Sequence, residues 1–301
     1  MSWTEIHVPA TSANLGPGFD ALGMALSIYL DVRFRPSEML VIRTAGRNVE
    51  LMPEDETNLI WQTALNVSDH AGRPLPGVEI QVDNDIPIGK GLGSSAAALL
   101  AGVILADEVL GLEWSRDRIL DEAARIEGHP DNVSAAVLGS IVASAIDSDG
   151  VTRAVRMQLP ARYGVAIVVP DFLLPTSEAR AVLPSTYSRA DAVFNLQRSA
   201  LLIAAMLTQT TDAFHAALED RLHQPYRERL VPGLGEMLRL RRPGLLGAAL
   251  SGAGPSVLVF YERGSEQVVE EFRDIFARHG HSSEALSAHI PDHGYDVMRG
   301  L

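Results

Sequence analysis

A glycine-rich stretch that runs directly into an apolar helix constrains the fold of this 301-residue chain more than any other segment. Glycines let the backbone approach an anion closely, and a helix N-terminus offers unpaired N–H groups with a partial positive charge. Serine hydroxyls at the first turn can meet phosphate or its magnesium ion. The stretch therefore predicts a nucleotide-phosphate site, made of Pro87, Ile88, Gly89, Lys90, Gly91, Leu92, Gly93, Ser94, Ser95, Ala96 and Ala97.

Two well-known phosphate loops do not fit this stretch. A Walker loop needs glycine five positions before Gly89 and Ser or Thr after Lys90, but Asn84 and Gly91 occupy those places. A Rossmann fingerprint is matched in letters from residue 91 to residue 96, yet it needs a strand running directly into the glycines. Here a polar DNDIP turn precedes them. A plain turn that begins a buried helix is the simpler alternative.

The position of the one lysine supports the phosphate interpretation. Of the 25 basic residues, Lys90 alone is a lysine, and it lies inside the glycine loop. A lysine ammonium is a compact charge on a flexible stem, which suits phosphate oxygens. We therefore predict a catalytic role for Lys90.

The composition argues against several classes of function. A net charge of −13 disfavours a nucleic-acid or acidic-membrane partner, since either would want a basic face. The absence of cysteine excludes disulfides, thiolate zinc sites and cysteine nucleophiles. The N-terminus does not resemble a signal peptide, and no run of 18 uninterrupted apolar residues follows. We expect a cytoplasmic protein with no nucleic-acid or membrane partner.

The hydrophobic periodicity predicts a mixed α+β chain with two lobes. Strands do not alternate regularly with helices, which disfavours a doubly wound sheet. The turn at residues 147–150 is the candidate boundary, with an N-terminal ATP-binding lobe at 1–150 and a C-terminal lobe at 151–301 that completes the substrate cleft. Predicted helices include 57–70, 94–110, 115–127, 189–208, 211–222, 233–241 and 265–279.

Three further motifs accompany the glycine loop along the chain. They are VPATSANLGPGFDALGMAL at 8–26, EGHPDNV at 127–133 and SGAGPSV at 251–257. In this order the four motifs resemble those of the GHMP kinases, over nearly the whole chain. The resemblance implies an N-lobe like domain 2 of ribosomal protein S5 and a ferredoxin-like C-lobe. It also implies ATP and Mg²⁺ as cofactors, with ATP and acceptor meeting between the lobes.

Within that family, PATSANLGPGFD and EGHPDNV resemble the members that act on L-homoserine. The resemblance implies transfer of the ATP γ-phosphoryl group to its side-chain hydroxyl, giving O-phospho-L-homoserine for threonine synthesis. The mevalonate-type members of the family carry a lysine in the N-terminal motif as a catalytic aid. This chain has none there, so the resemblance favours homoserine over mevalonate. Shikimate, mevalonate or threonine as acceptor, or a catalytically silent nucleotide-binding protein, are the alternatives. A homodimer is a candidate assembly.

The resemblance also assigns residues to the acceptor. Asp20 would accept the hydrogen bond of the hydroxyl, as a base or only as an orienting group, because a loose phosphoryl-transfer transition state needs no strong base. Arginine forks suit a carboxylate, and Arg229 competes with Arg227 for that role. The implied acceptor residues are Asn14, Asp20, His129, Asn132, Arg180 and Arg227.

The resemblance implies a magnesium site and an adenine contact as well. Ser95 and Glu127 would hold Mg²⁺, and Asn58 would face the adenine. A polar residue at a helix N-terminus is the simpler explanation for Asn58. Asp131 follows Pro130 at a helix start, where its charge favours the first turn, so it is expected to be structural.

Overall fold

The computed structural model describes residues 2–300, which contain eleven β-strands and ten α-helices. The strands are β1 (Thr4–Ala13), β2 (Leu22–Pro36), β3 (Val41–Gly46), β4 (Val78–Asn84), β5 (Ile141–Ile146), β6 (Thr152–Met157), β7 (Tyr163–Pro170), β8 (Leu245–Leu250), β9 (Val257–Glu262), β10 (Ser283–Ala288) and β11 (Asp296–Arg299). The helices are α1 (Leu59–Ala71), α2 (Ser94–Leu110), α3 (Arg116–Glu127), α4 (Asp131–Leu138), α5 (Thr176–Ala181), α6 (Arg189–Thr208), α7 (Phe214–Ala217), α8 (Gln224–Arg227), α9 (Leu234–Arg239) and α10 (Val268–Arg278).

The first lobe is built on a mixed sheet that has seven strands within residues 2–300. Its main path runs β11-β1-β2-β4-β3, and β5 joins β2 and carries β6. Among the strands of this sheet that residues 2–300 form, only β3 and β4 pair in parallel. The long β2 strand therefore connects both parts of the sheet.

Helix α2 is the central helix of this lobe. Its sequence is apolar on nearly all sides, and residues such as Leu100, Val103 and Leu105 are fully buried. A helix without a polar face must lie inside a core. Helices α1, α3 and α4 and strand β1 contact it, which holds its N-terminus, and the glycine loop before it, in a fixed position.

The second lobe has an antiparallel four-stranded sheet in the order β10-β7-β9-β8. Strand β7 is buried along its whole length, as its continuous apolar sequence predicts. Helix α10 covers this sheet with Phe272, Ile275 and Phe276. The prediction of an α+β chain agrees with these two sheets and their helices.

The boundary between the lobes differs from the prediction. The turn at 147–150 joins β5 to β6, which pair antiparallel within the first sheet. The first sheet thus extends to Met157, and it also takes its edge strand β11 from the C-terminal end of the chain. A polar turn looks the same in sequence whether it ends a lobe or closes a hairpin.

Two predicted helices have the predicted bounds, and one predicted helix does not form as a single helix. Helices α2 and α6 begin and end as expected. The helix predicted over 211–222 breaks into a 3₁₀ turn and the short α7. The carboxylate of Asp220 accepts hydrogen bonds from the backbone N–H groups of Leu222, His223 and Gln224, which replaces helical bonding with a side-chain turn.

Helix α6 is long and apolar enough to span a membrane by length and composition, with a mean hydropathy of 1.2 over 18 residues. Only 22% of that window is buried. One side, with Leu202, Ala205 and Met206, packs on the protein, while charged Asp191 and Arg198 lie within the same helix. The helix is thus a surface element with an apolar outer face.

Candidate active site

A cavity of about 220 Å³ lies between the glycine loop, the PGFD segment and the second lobe. Loop residues from Ile88 to Ala96 form one wall, except Lys90. The predicted metal ligands Ser95 and Glu127 also line it. All six predicted acceptor residues contribute to the lining: Asn14, Asp20, His129, Asn132, Arg180 and Arg227.

The glycines of the loop are required by backbone geometry. Gly91 and Gly93 have φ of +74° and +68°, in the left-handed region. A Cβ atom on Gly91 would lie 2.2 Å from the carbonyl oxygen of Ser251, and one on Gly93 would lie 2.0 Å from Oγ1 of Thr11. Such approaches leave no room for a side chain at either position, so glycine is required at both.

The second lobe holds this loop in place. Oγ of Ser251 donates to the carbonyl of Gly91 at 2.7 Å, and the N–H of Leu174 donates to the carbonyl of Gly89 at 3.2 Å. The SGAGPSV segment at 251–257 therefore supports the loop directly from the second lobe. Gly252 and Ala253 of that segment also line the cavity.

Lys90 does not lie where a catalytic lysine is expected. Its Nζ donates to the backbone carbonyls of Pro170, at 2.8 Å, and Phe172, at 2.7 Å, at the end of β7. The residue is 8% exposed, and burial lowers the pKa of its ammonium group. The structure corrects the prediction: Lys90 joins the loop to the second lobe because buried carbonyls need a donor.

The PGFD segment is a strained turn that presents Asp20. Asn14, Leu15 and Asp20 all have positive φ. Oδ1 of Asn14 accepts from the N–H of Asp20 at 3.0 Å, and its Nδ2 donates to the carbonyl of Gly252 at 2.9 Å. Both ends of the Asn14 amide are thus bonded to backbone, so this side chain shapes the turn rather than reaching freely into the cavity.

Asp20 forms an ion pair with Arg180. Nη2 of Arg180 donates to Oδ1 of Asp20 at 3.1 Å, and both side chains are more than one-third exposed. Arg180 lies on the short α5, which follows β7 in the second lobe. The pair therefore brings a carboxylate from one lobe and a guanidinium from the other to the same wall.

Arg227 is the buried arginine of the cavity, at 2% exposed. Its Nε donates to the carbonyl of Ala179 at 3.0 Å and its Nη1 to the carbonyl of Gly252 at 3.0 Å. Burial, with the nearby charge of Arg180, lowers the pKa of Arg227 to about 10. Arg229 is exposed outside the cavity lining, so the geometry favours Arg227 of the two.

His129 lies between acidic groups. Its Nδ1 is 2.5 Å from Oδ1 of Asp131, and its Nε2 is 3.9 Å from Oε1 of Glu127. Burial opposes its charge, but the bond to Asp131 and the negative charges of Asp131, Glu127 and Asp20 outweigh it and raise the pKa of His129. Asn132 follows and also lines the cavity; its Oδ1 accepts from Oγ1 of Thr11 at 2.8 Å, and its Nδ2 lies 3.5 Å from Oδ1 of Asp131.

Known proteins with related sequences clarify what this cavity does. The family model described as the GHMP kinases N terminal domain matches residues 58–140, and the model described as GHMP kinases C terminal matches residues 202–278. A homoserine kinase from Solibacter usitatus is 64% identical over 298 residues, covering 99% of this chain and 98% of that protein. The chain belongs to the GHMP kinase family.

Other relatives of this GHMP kinase also have the name homoserine kinase. A homoserine kinase from Deinococcus radiodurans is 43% identical, covering 93% of this chain and 92% of that protein. The crystal structure of homoserine kinase from Cytophaga hutchinsonii superposes with a TM-score of 0.85 at 27% identity, covering 99% of this chain and 98% of that one. The predicted family and the two-lobed α+β fold are confirmed, and the protein is an ATP-dependent kinase that acts on a hydroxyl group.

Two sets of side chains in this GHMP kinase could meet a cation. Ser95 and Glu127 both line the cavity beside the phosphate loop. Burial raises the pKa of Glu127, while the charge of His129 opposes part of the rise. The carboxylates of Asp20 and Asp131 and the ring of His129 have ligand atoms within 4.8 Å of one another. Because magnesium prefers oxygen ligands, the first set fits it better than the set with an imidazole.

Asn58 does not reach the cavity. It is the N-cap of α1, where its Oδ1 accepts from the N–H of Ile60 at 3.0 Å and its Nδ2 donates to the carbonyl of Pro53 at 2.7 Å. Both ends of the amide are thus used in capping the helix, which agrees with the simpler explanation for Asn58, and the adenine contact stays a prediction. Pro87 and Ala97 likewise lie outside the lining and only frame the loop.

Besides Ala13, which directly precedes Asn14, sequence reasoning missed two residues of the cavity wall, Phe19 and Thr176. Phe19 precedes Asp20, and its ring stacks on His223 with centroids 5.3 Å apart. Thr176 begins α5, one turn before Arg180. Both are adjacent to predicted residues, so the motifs that contain those residues were the available signal.

Proposed function

We propose that the protein is a homoserine kinase, which transfers the γ-phosphoryl group of ATP to the side-chain hydroxyl of L-homoserine and gives O-phospho-L-homoserine. Relatives named homoserine kinase that align over nearly the full length support this substrate. The observation that carries the proposal is that Asp20, Arg180 and Arg227 line one cavity with the glycine loop.

The charges of the cavity suit an amino acid. Arg180 and Arg227 offer guanidinium groups to a carboxylate, and an arginine can bind a carboxylate through charge-assisted hydrogen bonds. Glu127 and Asp131 place negative charge near the same wall, which favours an ammonium group. A cavity with both signs of charge therefore favours a zwitterion over mevalonate or shikimate, which carry a carboxylate without an ammonium.

In this proposal Asp20 orients the acceptor. Its carboxylate accepts the hydrogen bond of the substrate hydroxyl, whose oxygen forms a bond to the γ-phosphorus as the bond to ADP breaks. The hydroxyl proton leaves through Asp20 or to solvent. Since the transition state is loose, positioning and charge stabilisation provide most of the rate. The N–H groups of the loop and of the first turn of α2 face the phosphates.

Ser95 and Glu127 would hold Mg²⁺ in this proposal. The ion supplies neutralisation of phosphate charge and fixes the phosphate geometry. Ser95 lies in the first turn of α2, and Glu127 ends α3, so two packed helices fix the ligands. Calorimetric titration of the protein with Mg²⁺ and a non-hydrolysable ATP analogue tests this set: Glu127→Gln should weaken Mg²⁺ binding, and unchanged binding would contradict it.

A coupled ADP-release assay tests the activity. L-Homoserine with Mg-ATP should give turnover well above the rate without acceptor, and shikimate, mevalonate and L-threonine should give little. Turnover with one of those acceptors instead would replace the substrate. ATP binding without turnover on any acceptor would favour the alternative of a silent nucleotide-binding protein.

We also propose a cytoplasmic enzyme without nucleic-acid or membrane partners, on the grounds of its net charge of −13.

The apolar outer face of α6 is exposed in the single chain. We propose that a second copy of this chain covers it. The face carries the exposed side chains Val193, Leu196, Leu201 and Leu207, at 43%, 70%, 39% and 62% exposure.

The sequence of α6 is self-complementary in an antiparallel pair. A two-fold axis at Ala200 places this small residue against its own copy at the centre of the pair. It also places Val193 opposite Leu207 and Leu196 opposite Ala204, so that both copies use the same residues, as an isologous interface requires. Light scattering after gel filtration should give a dimer for the natural protein and a monomer for Leu196→Glu. A natural protein that is monomeric throughout would contradict the dimer, and a dimeric Leu196→Glu would move the interface elsewhere.

A further inference from the structure

His223 is buried behind the part of the cavity wall that Phe19 and Arg227 form. It is fully buried and lies at the start of α8, one turn before Arg227. It does not line the cavity, but it contacts residues that do. A buried imidazole needs a partner at each ring nitrogen, so its hydrogen bonds can be followed one by one.

The two ring nitrogens of His223 have partners of opposite kind. Nε2 lies 2.7 Å from the carbonyl oxygen of Gly16, which can only accept, so Nε2 carries the hydrogen. Nδ1 lies 3.2 Å from Nη1 of Arg227, which can only donate, so Nδ1 is the acceptor. Burial and the charge of Arg227 lower the pKa of His223, although Asp220 opposes them. The neutral Nε2–H tautomer satisfies both contacts.

Neighbouring groups fix the ring itself. The carboxylate of Asp220 accepts from the backbone N–H of His223 at 2.9 Å and from Nδ2 of Asn195 at 2.7 Å. The same amide nitrogen of Asn195 donates to the carbonyl of Pro17 at 3.1 Å. Phe19 stacks on the imidazole at 5.3 Å. The ring is therefore connected on three sides to the segment that presents Asp20.

These contacts leave one part of the Arg227 guanidinium for a ligand. Nε is bonded to the carbonyl of Ala179, and Nη1 is shared between the carbonyl of Gly252 and Nδ1 of His223. Within residues 2–300, Nη2 has no hydrogen-bond partner, and Arg227 lines the cavity. His223 thus sets which edge of the fork is presented.

We infer that His223 is a positioning residue for acceptor recognition: it holds the Arg227 guanidinium at a fixed place relative to the Gly16–Asp20 segment, so that Nη2 meets the acceptor carboxylate. This inference rests on the proposed homoserine kinase activity. Without the Nδ1 acceptor, Nη1 of Arg227 loses a partner in a buried place, and the guanidinium can rotate away from the carboxylate.

Two substitutions separate the two contacts. His223→Gln keeps an N–H that can reach the Gly16 carbonyl but has no acceptor at the Nδ1 position that faces Arg227. His223→Asn keeps an acceptor near the Nδ1 position but removes the bond to Gly16. His215→Gln is the matched control, because His215 also uses Nε2 on a backbone carbonyl, that of Leu245 at 3.1 Å, away from this cavity.

The KM values for L-homoserine and ATP and the kcat are measured for each variant, with melting temperatures. His223→Gln should raise the KM for L-homoserine about tenfold or more while the KM for ATP stays within about twofold. His223→Asn should have a KM for L-homoserine much closer to that of the natural protein, and His215→Gln should leave both KM values unchanged. An unchanged KM for L-homoserine in His223→Gln, or equal changes in both KM values, would overturn the inference.

Two further measurements bear on the role of His223. If His223→Gln does not fold, nitrogen NMR of the natural protein at pH 7 decides: a neutral Nε2–H tautomer at His223 supports the inference, and an imidazolium or an Nδ1–H tautomer overturns it. If the natural protein itself does not phosphorylate L-homoserine, the proposed function has failed, which is a result separate from any difference among the variants.

Discussion

The two ends of the cavity are built in different ways. At the phosphate end, Gly91 and Gly93 offer backbone N–H groups, and no side chain would fit at either position. At the proposed acceptor end, the charged side chains of Asp20, Arg180 and Arg227 line the cavity and come from both lobes. The phosphate end is thus fixed by main-chain geometry, and the acceptor end by ion pairs and buried hydrogen bonds.

This difference determines how each end responds to change. A backbone site tolerates no added atom, but its chemistry is the same for any nucleotide phosphate. A side-chain site can be altered one group at a time, and each alteration changes substrate preference. We expect substitutions at the phosphate end to act on ATP and on the fold, and those at the acceptor end to act on L-homoserine.

The largest effect is expected for Gly91→Ala. The new Cβ would lie 2.2 Å from the carbonyl of Ser251 at a residue with φ of +74°, so the loop must shift. A displacement of about 1 Å can cost about 100-fold in rate, so kcat/KM for ATP should fall at least that far. Gly72→Ala, with φ of +64° and no atom within 4 Å of the new Cβ, is the control and should remain active.

Asp20→Asn should lower kcat by about 100-fold and leave the Kd for ATP nearly unchanged, because it replaces the charged carboxylate that accepts the hydroxyl hydrogen bond with a neutral amide. The change also breaks the ion pair with Arg180 while keeping the shape of the side chain. Steady-state kinetics and a nucleotide titration measure the two quantities. A large loss of ATP affinity would mean that the acceptor end and the phosphate end of the cavity do not act independently.

Arg180→Ala should raise the KM for L-homoserine by about tenfold through the loss of one carboxylate contact, with a smaller effect on kcat. Arg229→Ala is the matched control, since that side chain is exposed outside the cavity lining, and it should leave the KM unchanged. An effect of Arg229→Ala as large as that of Arg180→Ala would reassign the carboxylate contact.

Lys90→Met tests whether the phosphate end depends on a side-chain charge. If Lys90 only joins the loop to Pro170 and Phe172, two buried carbonyls lose their donor, and the free energy of unfolding should drop by about 2 kcal/mol. The kcat should fall less than about tenfold, since no catalytic group is removed. A fall of about 1000-fold at unchanged stability would restore the catalytic role that the sequence suggests.

The smallest effect is the pH dependence of the His129–Asp131 pair. The pKa of His129 is raised above 6.5 in the folded protein, so its stabilisation is fully present below that pH and is lost as the pH rises through the higher value. Asp131→Asn should therefore cost about 1 kcal/mol more at pH 6 than at pH 9, as measured by urea unfolding. An equal cost at both pH values would show that His129 is not charged by this pair.

The glycine-loop wall of the cavity could be predicted from sequence, because closely spaced glycines directly precede an apolar helix and the three accompanying motifs resemble those of the GHMP kinases. The predicted bounds of α2 coincide with the observed ones, and most loop residues line the cavity. The role of Lys90 could not be predicted, since its partners are carbonyls 80 and 82 residues away along the chain. A lysine near phosphates and a lysine on buried carbonyls look the same in sequence.

At the acceptor end the motifs predicted which residues meet, but not what each one does. Asn14 and Arg227 both line the cavity, yet both use most of their polar atoms to hold neighbouring backbone. Asn58 has a helix-capping role that its position before an apolar helix also favours. The choice between Arg227 and Arg229 needed burial, which depends on how α8 packs against the Gly252 segment.

The most direct test compares L-homoserine with 3-aminopropan-1-ol, which keeps the ammonium and hydroxyl groups but has no carboxylate. In the proposed mechanism, charged side chains at one end of the cavity recognise the acceptor. Removing the carboxylate leaves the buried Arg227 unpaired, so kcat/KM should fall by about 100-fold or more while the KM for ATP stays the same. Equal kcat/KM values for the two acceptors would contradict the account.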